Sequence, residues 1–179
     1  MITELKHLPA ELAKYIQILS ECYCNGKVHY GAFTIEDSNL FQELTTPWHL
    51  RKSGTKKHIA HQRFFKNRIV NNALCLGEIG AGCSFAECQT SSFTLGGEPA
   101  QVLSEGGAYF KPQLTRAAII QLGNEAEMSM TGGNYDKVKV FKNHRHWSAF
   151  FLGVAWDYTF VVSDESDNSI KVLIATDTD

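Results

Sequence analysis

The chain has 179 residues, of which 44% are hydrophobic and 20% are charged, and its formal net charge is −2. This length and composition predict a single domain over 1–179 with a substantial hydrophobic core. A net charge so close to zero provides no field that would attract nucleic acid or an anionic membrane, and we expect neither as a partner.

The sequence shows no targeting or membrane signal. No apolar run reaches the ~18 residues that a membrane span requires, and the first residues lack the basic and apolar regions of a signal peptide. The five cysteines, an odd number, fit a reducing compartment better than a disulfide framework. We expect a cytoplasmic protein, or one that a dedicated secretion system exports into a host or target cell. The oligomeric state is not indicated.

The first two thirds of the chain favour helices. Apolar residues recur at helical spacing from Leu8 to about Cys22, and further helices are predicted over 57–76, over 84–93, and over 114–122 with Gly123 as the terminating residue. Residues 36–57 are predicted to be mostly loop, with one helical turn near 39–44. One short strand is predicted over 27–35.

After Gly123 the pattern changes to strands, which are predicted over 125–130, 137–141, 146–152, 156–163 and 170–175. A helical part over about 1–123 followed by a sheet over about 125–176 predicts an α+β fold, in which N-terminal helices pack on a C-terminal antiparallel sheet.

The stretch from Gly80 to Cys88 (GAGCSFAEC) is the strongest candidate for a site. Its glycines favour a tight turn, and Cys83 would then lie in the first turn of the predicted helix over 84–93. The positive end of a helix dipole lowers a cysteine pKa from about 8.5 toward 7, and the thiolate is the nucleophile. The alternative is that Cys83 is a small buried hydrophobic residue.

The predicted hairpin from His146 to Asp164 offers partners for this thiol. If its loop is centred near residue 155, these two residues face each other on one side of the sheet, with Cβ atoms ~5 Å apart. The prediction is therefore a triad in which Cys83 is the nucleophile, His146 the base and Asp164 the orienting carboxylate. His144 is the second candidate for the base, and Asp157 is a rival carboxylate that we interpret as a turn residue.

The order of cysteine, histidine and aspartate, the cysteine that follows glycines, and the segments 117–127 (AAIIQLGNEAE) and 146–150 (HWSAF) resemble papain-like and transglutaminase-like thiol enzymes over about 65–166. The histidine segment is also similar to that of bacterial effector glutamine deamidases. The resemblance implies a papain-like or transglutaminase-like core. It also implies a thiol-dependent amide hydrolase or acyl transferase (a peptidase, glutamine deamidase or transglutaminase-like enzyme) of effector or toxin type, acting on a protein or peptide without a cofactor or metal.

Three further hypotheses stay open. Cys83, Cys88, His144 and His146 have residue types that could bind zinc. Glu125 and Glu127 resemble the E-x-E pair of ADP-ribosyl transferases. The third hypothesis is a non-enzymatic cytosolic binding module, such as an immunity protein that resembles the Smi1/Knr4 group. It rests on the helix start at 8–12 (LPAEL) and the late aromatic strands, and it treats all five cysteines as structural.

Overall fold

The fold is an antiparallel sheet with helices packed on both of its faces. The computed structural model describes residues 1–46, 59–83, 85–87 and 97–179. In chain order the elements are β1 (Ile2–Leu5), α1 (Ala10–Cys22), β2 (Lys27–Ile35), α2 (Ser38–Thr45), α3 (Ile59–Lys66), α4 (Arg68–Leu74), β3 (Ala86–Glu87), α5 (Gly97–Glu105), α6 (Arg116–Thr131), β4 (Val138–Asn143), β5 (Tyr158–Asp164) and β6 (Ser169–Thr176).

Within the described residues the sheet has six strands in the order β1-β2-β6-β5-β4-β3, and every neighbouring pair is antiparallel. Strand β6 therefore lies in the centre, where it pairs with β2 from Lys27↔Thr176 to Thr34↔Ser169 and with β5 on its other side. The predicted mixture of helices with an antiparallel sheet is confirmed. The predicted separation of a helical part from a later sheet is wrong, because β1 and β2 belong to the N-terminal half.

Two hydrophobic clusters cover the two faces of the sheet. Successive side chains of a strand point to opposite faces, and β6 follows this rule: Ile170, Val172 and Ile174 belong to one cluster, while Leu173 and Ala175 belong to the other. Helices α2, α3 and α4 contribute to the first cluster, and α1, α5 and α6 contribute to the second. The result is three layers, and β5 is buried along its whole length.

Helix α6 continues through Gly123, so the helix end predicted there and the strand predicted over 125–130 are both wrong. Gly123 allows close contact between helices instead: a Cβ atom placed on it would lie 2.6 Å from the backbone nitrogen of Ala100 on α5. The helix begins after Thr115, whose side-chain oxygen accepts a hydrogen bond from the N–H of Ala118. It ends at Gly132, which has a φ of 65° and donates its N–H to the carbonyl of Met128.

The remaining predicted elements were partly correct. The helix predicted over 57–76 is two helices in the described residues, and the second starts where the Asn67 side chain accepts the N–H of Ile69 at 3.0 Å. The strand predicted over 146–152 is wrong, because Ser148 forms only an isolated bridge with Ile79 and the chain around it turns. The predicted first helix and the strand over 27–35 are confirmed as α1 and β2, and the single helical turn predicted near 39–44 is part of the longer helix α2.

Candidate functional site

The glycine turn that precedes Cys83 packs against the segment that begins at His146. The N–H of Gly80 donates a hydrogen bond of 2.8 Å to the carbonyl of Trp147, and the N–H of Ala149 donates to the carbonyl of Glu78 at 2.9 Å. A Cβ atom on Gly82 would lie 3.3 Å from the carbonyl oxygen of His146. The predicted nucleophile segment and the predicted histidine segment are therefore neighbours.

The Cys83 thiol is nevertheless part of the core. The residue is 0% exposed and belongs to the cluster that contains Trp147 and Phe65. Burial raises the pKa of the Cys83 thiol to about 12, and the nearby charge of Lys66 opposes this shift only in part. The lowered pKa expected at a helix start is therefore wrong.

The pKa expectation is wrong because of the structure of the residues that follow Cys83. The predicted helix over 84–93 is absent where the structure describes it, because residues 86 and 87 form β3, which pairs with Phe141 and Lys142 of β4. Residue 84 and residues 88–93 of that predicted helix lie outside the described residues. Because residues 85–87 are not helical, Cys83 does not lie in the first turn of the predicted helix.

His146 is exposed and lies in the loop beyond the end of β4. It lines a surface groove of about 430 Å³ together with Glu78, the glycine turn and Ser148. The structure thus brings His146 close to the turn, but the Cys83 side chain packs in the core and is not among the residues that line this groove.

Asp164 does not face His146, and the hairpin register predicted from the sequence is wrong. In the observed register Asp164 pairs with Val138, and Thr159 pairs with Asn143 at the other end of β4. Five residue-to-residue steps place the two ends of β4 ~17 Å apart, and His146 lies beyond the far end. The predicted register is wrong because residues 146–152 do not form a strand. The strand that precedes β5 and pairs with it is β4, which starts at Val138, eight residues before His146.

The Asp164 carboxylate stabilises the turn between β5 and β6. Its Oδ1 accepts hydrogen bonds from the N–H and the hydroxyl of Ser166, and its Oδ2 lies 4.0 Å from Nζ of Lys171. These contacts account for a carboxylate that is only 6% exposed.

The two rival residues have clear positions. Asp157 accepts hydrogen bonds from the N–H groups of residues 152, 153 and 154 and from the hydroxyl of Thr176, which confirms its interpretation as a turn residue. His144 is exposed, and its ring centroid lies 5.6 Å from that of Tyr158.

The zinc site and the E-x-E pair gain no support from the geometry. Cys88, one of the four suggested zinc ligands, lies outside the described residues, and within the described ranges no group of three or more histidine, cysteine, aspartate or glutamate residues is arranged to hold a metal ion. Glu127 is buried in α6 and accepts hydrogen bonds from the hydroxyls of Thr131 and Tyr135. Cys22 is buried and Cys24 is exposed.

A larger surface feature was missed in the sequence. The outer face of α6 and the start of α1 form an open groove of about 1040 Å³. Ile120 and Met128 line it, and each is 50% exposed. The sequence contained evidence for this surface, because α6 has apolar residues on this face as well as on its buried face. The surface was missed because a strand was predicted over 125–130, which divided the helix. We call this feature the α6 groove; its lining residues are Pro9, Glu11, Ala117, Ile120, Gln121, Asn124, Glu125, Met128, Ser129 and Gly132.

The α6 groove is acidic. The charged residues among the described residues that line it are Glu11 and Glu125, on opposite helices. The side-chain amide of Gln121 donates a hydrogen bond of 2.8 Å to Oε1 of Glu125, which holds that carboxylate on the outer face of α6.

In the part of the chain that the structure describes, we found no helix with both the length and the apolar character needed to cross a bilayer. Comparison of the chain with protein-family models, with curated proteins and with solved structures gives no match.

Proposed function

We propose that this chain is a non-catalytic protein-binding module and that the α6 groove is its interaction surface. The observation that carries the proposal is the pair Ile120 and Met128, two large apolar side chains that are half exposed on one stripe of a surface helix. Exposed apolar side chains with polar groups around them mark sites of protein association. Here Asn124 lies between Ile120 and Met128 on the same helix face, and Gln121 and Glu125 add polar groups beside it.

The surroundings of the predicted triad support the same proposal. The Cys83 thiol packs in the core with a raised pKa, and the Asp164 carboxylate is engaged by Ser166 at a hairpin turn. Each of these side chains therefore has a structural role that accounts for its burial without any catalytic step. This agrees with the interpretation of the cysteines as structural.

The thiol-enzyme hypothesis, with its papain-like or transglutaminase-like core, stays a prediction. The observation in its favour is that His146 lies beside the glycine turn that precedes Cys83. Iodoacetamide at neutral pH separates the two functions. An activated Cys83 would be labelled faster than the exposed Cys24 and Cys75, whereas the binding-module proposal requires Cys83 to be labelled far more slowly than both.

The proposal itself is tested by selecting partners without bias. A displayed library of helical peptides is selected on the wild-type protein and counter-selected on the Ile120→Asp/Met128→Asp variant, whose substitutions place charge on the apolar stripe. The matched control is Ile69→Asp, which alters an isoleucine of similar exposure on α4, on the opposite side of the sheet.

We expect enriched peptides that bind the wild type and the Ile69→Asp variant but not the α6 variant. If no peptide family is enriched, or if enriched peptides bind all three proteins equally, the α6 groove is not an interaction surface and the proposal fails. Circular dichroism of each variant verifies that the fold is retained.

A further inference from the structure

This inference rests on the proposed function and names the partner. We infer that the α6 groove takes one amphipathic helix of a different protein, with an apolar stripe that contacts Ile120 and Met128 and with lysine or arginine residues on both flanks of that stripe. The chemistry of the occupant follows from the length, shape and charge of the groove.

The length of the groove fits a helix. Its lining on α6 runs from Ala117 to Ser129, and Gly132 lies just beyond the helix end; the helical part corresponds to ~18 Å at 1.5 Å per residue. Within it, Ala117, Ile120 and Met128 follow the spacing that places residues on one helix face. An amphipathic helix laid along such a stripe contacts it through residues at i, i+3, i+4 and i+7.

The charged residues that line the groove indicate which charge the bound helix should carry. Glu11 comes from the first turn of α1 and Glu125 from α6, so a helix that occupies the groove lies near two carboxylates. Basic residues on the flanks of the apolar stripe would pair with these carboxylates, and acidic residues there would be repelled. The same two carboxylates oppose an anionic membrane as the occupant.

The charge also disfavours a second copy of this chain. In a two-fold symmetric dimer the same surface patch meets itself. Two copies of the α6 groove would bring Glu11 and Glu125 of both protomers into one interface, without a lining lysine or arginine among the described residues to compensate.

Three synthetic peptides test the inference. The first is an 18-residue helical peptide with leucine along one face and lysine on both flanks of that face. The second replaces every lysine by glutamate, and the third has the composition of the first with the leucine residues distributed around the helix. Binding to the intact protein is measured by fluorescence anisotropy at low and at high salt, together with the variants Glu125→Lys and Glu4→Lys. Glu4 is exposed on β1 and does not line the groove, so its substitution changes the net charge equally and serves as the control.

We expect the lysine peptide to bind at least about 10-fold more tightly than the glutamate peptide at low salt, with a smaller ratio at high salt. Glu125→Lys should reduce that ratio to below about 3-fold, and Glu4→Lys should leave it unchanged.

Each contrary outcome has a defined meaning. Equal affinity for the lysine and glutamate peptides overturns the inferred charge of the partner. Equal affinity for the lysine peptide and its redistributed form shows unspecific attraction and overturns the inferred helix. Failure of all three peptides, when the library selection above still yields groove-dependent binders, overturns the inference and leaves the binding-module proposal standing. If the library selection also fails, both this inference and the binding-module proposal are overturned.

Discussion

The indole Nε1 of Trp147 donates a hydrogen bond of 2.8 Å to the hydroxyl oxygen of Thr159, and both residues are almost completely buried. Trp147 lies in the loop after β4, and Thr159 lies near the start of β5. This bond fixes the loop that contains His146 to the middle of the sheet. It also gives the buried indole N–H the partner that such a group requires.

The Thr159→Val variant tests the contribution of this bond. Valine keeps the shape of threonine but removes the acceptor, so the indole N–H of Trp147 is left buried and unpaired, which costs about 1–3 kcal/mol. We expect the free energy of unfolding in urea to fall by that amount. Thr3→Val, a matched change at an exposed position of β1, should have an effect within about 0.5 kcal/mol. Equal effects of the two substitutions would contradict the role assigned to the bond.

Gly123→Ala tests the close contact between α5 and α6. Alanine is favoured over glycine inside a helix by ~1 kcal/mol, so helix propensity alone predicts stabilisation. The added Cβ would instead lie 2.6 Å from the backbone nitrogen of Ala100, and a backbone atom cannot rotate away. We expect a net loss of stability of about 1–3 kcal/mol, measured by urea denaturation. Gly97→Ala is the control, because a Cβ there meets no atom within 4 Å. A stabilised Gly123→Ala protein would show that the helices separate easily.

Gly123 also shows how much of the fold could be predicted from the sequence. The helix from Leu8 and the alternation over 27–35 are local patterns, and the structure confirms them. Gly123 was misread because a glycine needed for a close contact between helices resembles, in sequence, a glycine that ends a helix. Its role depends on Ala100 of α5, which is distant in the chain, and no local pattern shows that contact.

The predicted pairing of His146 with Asp164 is wrong for a related reason. The pairing of His146 with Asp164 depended on a strand over 146–152, where aromatic residues favour a strand but Trp147 and Phe151 instead pack as a buried loop. Likewise, Cys83 follows a glycine turn as predicted, but the next element is β3 rather than a helix. The thiol therefore packs in the hydrophobic core instead of at the positive end of a helix dipole. Tertiary context overrides local preference at both places.

The raised pKa of Cys83 predicts a specific dependence of stability on pH. The unfolded thiol ionises at about 8.5, whereas burial holds the pKa of the folded thiol at about 12. Above pH ~8.5 the unfolded state binds fewer protons than the folded state, so the stabilisation associated with the neutral buried thiol is present below that pH and is lost as the pH rises toward 12. For this one group the slope reaches ~1.4 kcal/mol per pH unit.

We expect the wild type to lose more stability than Cys83→Ala between pH 8 and pH 10, measured as the free energy of unfolding in urea at each pH. The variant is less stable at pH 8 because of the cavity left in the core, but the two curves should converge as the pH rises. Parallel curves would mean that Cys83 is not shielded from water.

Asp157 should matter more for stability than Asp164. Its carboxylate accepts bonds from three backbone N–H groups and from Thr176, and it is 1% exposed. In Asp157→Asn, the NH₂ group of the new amide would lie next to the N–H and O–H donors that now bind the carboxylate, and it cannot accept a hydrogen bond from them. The loss of these charge-assisted bonds should lower the free energy of unfolding by about 2–4 kcal/mol. Asp164→Asn, which affects a single turn, should cost less. Urea denaturation of both variants, with exposed Asp136→Asn as the control, checks the order. The reverse order would contradict the role of Asp157 as the anchor of its loop.

The central position of β6 has a consequence for how the chain folds during synthesis. Strand β2 must wait for β6 before it can pair on its inner side, and residues as distant in sequence as Lys27 and Thr176 then become partners. Contacts of such long range slow folding, because the loop between them must close first. While the ribosome is still adding residues, the strand pair β1 and β2, which is connected through α1, has an open edge on β2, and the pair β4 and β5 has an open edge on β5. Both edges close only when β6 enters between them, so a ribosome-bound chain that lacks β6 should be the form most dependent on chaperones.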